Sequence, residues 1–186
     1  KAIFEKAVRL YPNDKRAHNG LAQIAYAKGD METAKAELAQ AAELPEANAN
    51  AALIAVREHH LDQAESLLGK ALTASNYNEV LGNLQVARGN FVQAAHTLKG
   101  VNTNTAALAH ILTKDYVSSP PPLMAVPHRD AMTAYLAAIV SARTGDVKGA
   151  AQALAGAIAA DRSLAGLAQT DLELAKVLAA HPELVK

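Results

Sequence analysis

One ten-residue pattern occurs three times in this chain, and it constrains the fold more than any other feature. It reads Ala25-Tyr26-Ala27-Lys28-Gly29-Asp30-Met31-Glu32-Thr33-Ala34, then Gln85-Val86-Ala87-Arg88-Gly89-Asn90-Phe91-Val92-Gln93-Ala94, then Ser141-Ala142-Arg143-Thr144-Gly145-Asp146-Val147-Lys148-Gly149-Ala150. Each copy has a helix end, Gly, Asp or Asn, an apolar residue, two polar or small residues and Ala. Gly29, Gly89 and Gly145 suit the left-handed conformation that stops a helix. Asp30, Asn90 and Asp146 suit the next position, where a side chain accepts the free amide protons of the following helix. Ala34, Ala94 and Ala150 are small where two helices would cross closely. Three copies in register describe one helical hairpin used repeatedly.

Two weaker copies fill the gaps. In His59-His60-Leu61-Asp62-Gln63-Ala64 two histidines replace the Gly-Asp pair, while Leu61 and Ala64 keep their places. In Lys114-Asp115-Tyr116-Val117-Ser118-Ser119 the alanine has become Ser119. The alanine-equivalent positions are thus 34, 64, 94, 119 and 150, spaced by 30, 30, 25 and 31 residues. Leu38, Leu68, Leu98, Leu123 and Leu154 each follow four positions later, the next inward site on the same helical face. Phe4, Ala7, Leu10 and Pro12 fit the second helix and exit of a repeat whose first helix is missing. The chain opens at Lys1-Ala2-Ile3-Phe4, inside an amphipathic pattern and without an initiator Met, so it reads as a fragment of a longer protein.

Composition agrees with an all-α chain. Hydrophobic residues make up 51%, yet there are only five tyrosines, two phenylalanines and no tryptophan. Alanine supplies much of that fraction, and it is the best helix former. Small side chains bury little area each, so a core built from them must be spread over many helix contacts. Lys+Arg and Asp+Glu balance at 18 each, with no basic stripe of the kind nucleic-acid binding requires. Apolar stretches such as 51–56 and 134–140 are too short to span a membrane. There is no cysteine, which excludes disulfides and thiolate chemistry and leaves the compartment open.

On these residues the chain resembles the tetratricopeptide-repeat family over nearly its whole length, most clearly in 17–44, 76–98 and 131–161. The resemblance implies a right-handed superhelical solenoid of antiparallel helix hairpins, with a concave groove for a protein or peptide partner. The chain departs from the family by lacking the large aromatic early in each first helix and by keeping the exit proline only at Pro12. The segments 104–116, 130–145, 161–164 and 171–175 also resemble the C-terminal ends of repeat proteins common in Bacteroidetes, many of which are exported to the cell envelope. That implies a bacterial periplasmic or outer-membrane-associated setting, while composition leaves the cytoplasm open.

The expected layout is a single array: a half repeat over 1–14, repeats over 15–45, 46–75 and 76–101, a degenerate proline-interrupted repeat over 102–129, a repeat over 130–161, and capping helices over 162–186. Helix pairs are expected at 16–28 with 31–43, 47–58 with 61–73, 77–88 with 91–99, and 131–144 with 147–160. A lone helix is expected at 2–11, and capping helices at 163–169 and 171–180. Ser118-Ser119-Pro120-Pro121-Pro122 falls where a second helix belongs. Proline lacks the amide donor and clashes with a preceding helical turn. Residues 118–122 are therefore expected to be non-helical, the segment being extended or a shortened helix that starts after Pro122, with Leu123, Met124 and Val126 still packed inward. A protruding proline-rich ligand, a hinge, or plain degeneration near the cap would each account for the segment.

The repeat register assigns the groove to outward-facing residues of the first helices. These are Arg16, Asn19, Gln23 and Tyr26; then Leu53 and Arg57; then Asn76, Glu79 and Asn83; and finally Tyr135, Ile139 and Arg143. Together they form a partly polar trough suited to an extended peptide or a partner helix. Solvated helix faces would look the same in sequence. Some family members grip a partner's C-terminal carboxylate with Lys, Arg and Asn at such positions. Here Asn19 and Asn83 are present, the lysines are missing, and Glu79 would repel an acidic tail.

Catalytic and cofactor signatures are absent. There is no phosphate-cradling glycine loop, no cysteine nucleophile and no Gly-x-Ser-x-Gly elbow. No two of His18, His59, His60, His96, His110, His128 and His181 lie three or four apart, so no helix presents a paired metal site. Asp171 and Glu173 sit two apart, which on a helix places them on different faces. The reading is therefore a non-catalytic interaction scaffold with no cofactor or metal and no nucleic-acid partner. Its alternative is a structural spacer or self-association element of a larger protein.

Overall fold

The computed structural model describes residues 2–127 and 129–186, so Lys1 and His128 lie outside the described residues. Thirteen α-helices and two short 3-10 segments make up its regular structure, with no strand among the described residues. This is an all-α helical-hairpin solenoid. The chain divides into two compact units, Lys1–Asn90 and Phe91–Lys186.

The first unit contains α1 (Ala2–Leu10), α2 (Lys15–Ala27), α3 (Met31–Gln40), α4 (Pro45–Arg57), α5 (Leu61–Leu68) and α6 (Tyr77–Ala87). Helices α2 and α3 close on Ala22, Ala25, Ala34 and Leu38, which join Ala47 and Ile54 of α4. A second cluster links α4, α5 and α6 through Ala52, Ala55, Ala64, Leu68, Val80 and Leu84. Helix α1 leans on α2 through Phe4, whose ring fills the place where a β-carbon on Gly20 would sit, at 2.7 Å. That close approach requires a glycine in the middle of α2.

The second unit contains α7 (Phe91–Thr97), α8 (Asn104–Leu112), α9 (Pro120–Ala125), α10 (Ala131–Thr144), α11 (Val147–Ala160), α12 (Leu164–Thr170) and α13 (Ala175–Ala180). Short 3-10 segments follow α12 at Leu172–Leu174 and α13 at Pro182–Val185. One continuous core joins Leu123, Leu136, Ile139, Leu154, Leu174 and Val177.

The repeat register is carried by the side chains in the small-residue slot. Ala34, Ala64, Ala94, Ser119 and Ala150 are all 0% exposed, and the leucines four positions on are buried with them. Ser119 occupies an alanine slot without an orphaned hydroxyl, because its Oγ donates to the Asp115 carbonyl at 3.0 Å. Every hairpin turn also closes with the same bond. The amides of Asp30, His60, Asn90, Asp115 and Asp146 donate to carbonyls five residues back, at 2.8–3.0 Å. This pattern needs a left-handed residue just before it. Gly29, Gly89 and Gly145 supply φ values of 79°, 79° and 90°, while His59 and Lys114 take φ of 61° and 60° with side chains attached.

Two expectations are corrected here. Helices α3 and α5 stop at Gln40 and Leu68, short of 43 and 73. Beyond them the apolar spacing shortens to three, as Leu38-Ala41-Leu44 and Leu68-Ala71-Ala74. Each such step closes a tight turn, with Ala41 donating to Leu38 at 3.0 Å and Ala71 to Leu68 at 2.9 Å. Inward packing continues, but the α-helix does not. The proline run, expected to be non-helical over 118–122, instead starts α9 at Pro120, with Pro122 and Leu123 buried and Met124, expected to face inward, exposed. Amides in the first helical turn have no intrahelical partner in any case, so three prolines can lead a helix that they could not continue. Ser118 and Ser119 remain outside it.

Candidate functional site

The first unit gathers most of the expected groove residues on one face. Asp14 caps α2, accepting the amides of Arg16 at 3.0 Å and Ala17 at 3.2 Å, and so sets the rotation of that helix. Its polar stripe then presents exposed Arg16 and Gln23 with partly buried Asn19 and Tyr26. On α4, partly buried Leu53 and exposed Arg57 face the same way. The Arg57 guanidinium lies 5.6 Å from the centre of the Tyr26 ring, a cation–π pairing between α2 and α4.

A line of amides crosses this face. Asn50 Nδ2 donates to Asn19 Oδ1 at 2.9 Å, and Asn76 Nδ2 donates to Asn50 Oδ1 at 3.1 Å. Three side chains from α2, α4 and the start of α6 thus form one ladder. Beside it a small cavity of about 70 Å³ opens between α2 and α4, walled by Ala22, Leu38, Leu53 and Ile54 with Gln23, Tyr26 and Asn50 around it. Asn50 is the member that sequence reasoning missed. It lies 31 residues after Asn19 and 26 before Asn76, the same offsets that relate Arg57 to Tyr26 and Asn83, so the repeat register itself contains the signal for it. On α6, Asn83 Nδ2 donates to the Glu79 carbonyl at 2.8 Å. Glu79 itself is half-buried, and burial pushes its carboxyl above the usual carboxylate range.

The residues chosen from the second unit behave differently. Tyr135 and Ile139 are buried, not outward-facing, and this corrects their placement on an open groove. Arg143 is exposed but engaged: its Nε and Nη2 both donate to the Glu173 carboxylate. The Tyr135 hydroxyl donates to Asp171 Oδ2 at 2.8 Å, and burial together with that carboxylate pushes the phenol up. Arg143 in turn holds the Glu173 carboxyl below its ordinary range. Both acids reach α10 because Asp171 caps a 3-10 segment, so the α-helical spacing that would have separated them does not apply. The capping segment therefore covers the polar face of α10. The second unit keeps a larger cavity of about 420 Å³ between α9 and α10, lined by Leu123, Met124, Ala134, Ala137 and Val140 with Arg129 and Thr144 among its polar residues. Nothing in the sequence pattern marked it.

Among the described residues no group of His, Asp and Glu is arranged to hold a metal ion, and no helix is long and apolar enough to cross a membrane. His18 is buried and structural in its contacts, with Nδ1 2.6 Å from Glu37 Oε2 and Nε2 2.9 Å from the Pro12 carbonyl.

Solved structures place this geometry. A tetratricopeptide repeat protein from Parabacteroides merdae superposes with a TM-score of 0.62 over 85% of this chain and 70% of its own, at 13% identity. This is the tetratricopeptide-repeat fold. PilW, a widely conserved type IV pilus biogenesis factor, also superposes at 0.62, over 95% of this chain and 88% of its own, at 19% identity. No family model matches the sequence. No curated protein sequence matches it.

Proposed function

We propose that this chain is a protein-interaction scaffold whose first unit holds an extended peptide segment along the Asn19–Asn50–Asn76 ladder. The ladder is the observation that carries the reading. Each asparagine offers both a donor and an acceptor, the same pair that a peptide backbone presents. Bonds between these side chains can be exchanged for bonds to a main chain at small net cost, since a typical hydrogen bond contributes about 1 kcal/mol net. The adjoining cavity offers an apolar contact for a small side chain of the bound segment, and Arg57 on Tyr26 forms a stiff wall beside it. The likeness in fold to PilW supports a setting in a bacterial envelope assembly.

The test is selection of random-sequence displayed peptides on the purified full chain, followed by affinity measurement on variants. Asn50→Ala, which removes the middle of the ladder, is expected to weaken the selected peptides by about tenfold or more, or 1.4 kcal/mol. Unchanged affinity in Asn50→Ala, or no enrichment at all, would overturn the reading. The self-association alternative has one observation in its favour: Ile3, Leu10 and Tyr11 on or beside α1 are exposed apolar side chains. Light scattering that shows concentration-dependent dimers, lost in Ile3→Asp with Leu10→Asp, would support it.

A further inference from the structure

Glu79 is a partly buried acid of the first unit that neither pairs with a cation nor, like Asp14 and Asp30, caps a helix. Lys15 pairs with Glu43, Lys35 with Glu32 and Glu58, and Arg88 with Asp62 and Glu65. Among the described residues, the ion pairs of this unit leave Glu79 without a cation, although it is more buried than most of those acids. Asp30, Asp115, Asp130, Asp161, Glu173 and Glu183 all have carboxyls held below the ordinary range, whereas that of Glu79 is raised, by burial alone. Its place in the first turn of α6 sets the helix dipole in favour of the carboxylate, but no cation offsets the rest of its desolvation. Binding sites for charged ligands are among the places where such a cost is kept.

The position of Glu79 gives that ligand a chemistry. It follows Asn76 by three residues and precedes Asn83 by four, so all three side chains lie along one stripe of α6. Asn76 is the last member of the amide ladder. At the other end of the ladder stands exposed Arg16 of α2. The face therefore changes sign from α2 to α6, and a segment lying along it meets a carboxylate as it leaves Asn76. We propose that the occupant of this face carries a lysine or arginine side chain that docks on Glu79 and fixes the register and direction of the segment. This inference rests on the peptide-holding reading of the same face. It is also consistent with the mismatch between this groove and an acidic C-terminal tail.

The same peptide selection tests it. Peptides enriched on the unaltered chain should share Lys or Arg at one fixed position, and Glu79→Gln should bind them about tenfold or more weakly. Selection repeated on Glu79→Lys should enrich Asp or Glu at that position. Glu79→Gln should melt close to the unaltered chain, because relief of desolvation and loss of the first-turn charge oppose each other and the shape is nearly preserved. Enriched peptides with no basic position, or equal affinity for Glu79→Gln when Asn50→Ala has lost binding, would overturn the role of Glu79 and leave the ladder reading standing. No enrichment on the unaltered chain would overturn both.

Discussion

At the scale of single residues, the hairpin turns show how much of this fold is set by backbone conformation. The left-handed position costs a residue with a β-carbon about 1–2 kcal/mol relative to the right-handed one. His59 and Lys114 bear that cost where the other three turns use glycine. His59→Gly and Lys114→Gly are each expected to stabilise the protein by about 1 kcal/mol, after allowance for the extra freedom glycine gains in the unfolded chain. A rise in the urea midpoint at unchanged slope would check this. His60 makes no side-chain capping bond to α5, whereas Asp30 and Asp146 each accept an amide in the helix they precede. His60→Asp should add about 0.5–1 kcal/mol by the same measurement. His18 makes the pH dependence specific. Its two ring nitrogens face the Pro12 carbonyl and the Glu37 carboxylate, an arrangement that favours the doubly protonated ring and raises its pKa, chiefly through Pro12. Its contribution to stability is therefore complete below the unfolded value of about 6.5 and is lost as pH rises through the higher folded value. Thermal melts should fall across that window in the unaltered chain and lose this step in His18→Gln.

At the scale of elements, the expectations that held and those that failed have separate causes. The Gly-Asp turns and the alanine slots were legible because each rests on one local requirement, a left-handed backbone or a close helix crossing. Ser119 falls in that register despite its hydroxyl because an adjacent carbonyl accepts it. The ends of α3 and α5 were less legible, since Ala41 and Ala71 remain buried whether the chain continues as α-helix or tightens into three-residue turns. The start of α9 was misjudged because proline is excluded from helix interiors but tolerated in the first turn. The Asp171–Leu174 segment was also read as ordinary helix, which hid the fact that Asp171 and Glu173 converge on α10. That convergence separates Arg143 from Arg16 and Arg57, the other two arginines that the repeat register places in the groove. Arg143→Ala should leave peptide affinity unchanged and raise amide hydrogen exchange over 171–174, with little loss of overall stability for so exposed a pair. A loss of peptide affinity in Arg143→Ala would return this residue to the binding surface.

At the scale of the whole molecule, balanced charge and an alanine-rich interior make a solenoid whose sequence records its architecture more clearly than its function. Fold class could be read because the same hairpin is written several times, and each copy checks the others. The proposed binding face could be read only in part. Asn19, Gln23, Tyr26, Leu53, Arg57 and Asn76 do share one face; Asn50, one helical step of seven before Arg57, shares their register, but its bonds to Asn19 and Asn76 emerge only from three-dimensional packing. Tyr135 and Ile139 occupy register positions that the capping segment turns into core. The central claim is that the amide ladder of the first unit is the surface that holds a peptide. It is tested most directly by nuclear magnetic resonance of the isotope-labelled full chain titrated with a selected peptide. The side-chain amide signals of Asn19, Asn50 and Asn76 should shift together and saturate at one affinity. Saturating binding that leaves those three signals unmoved, with shifts confined to the α9–α10 cavity, would contradict it.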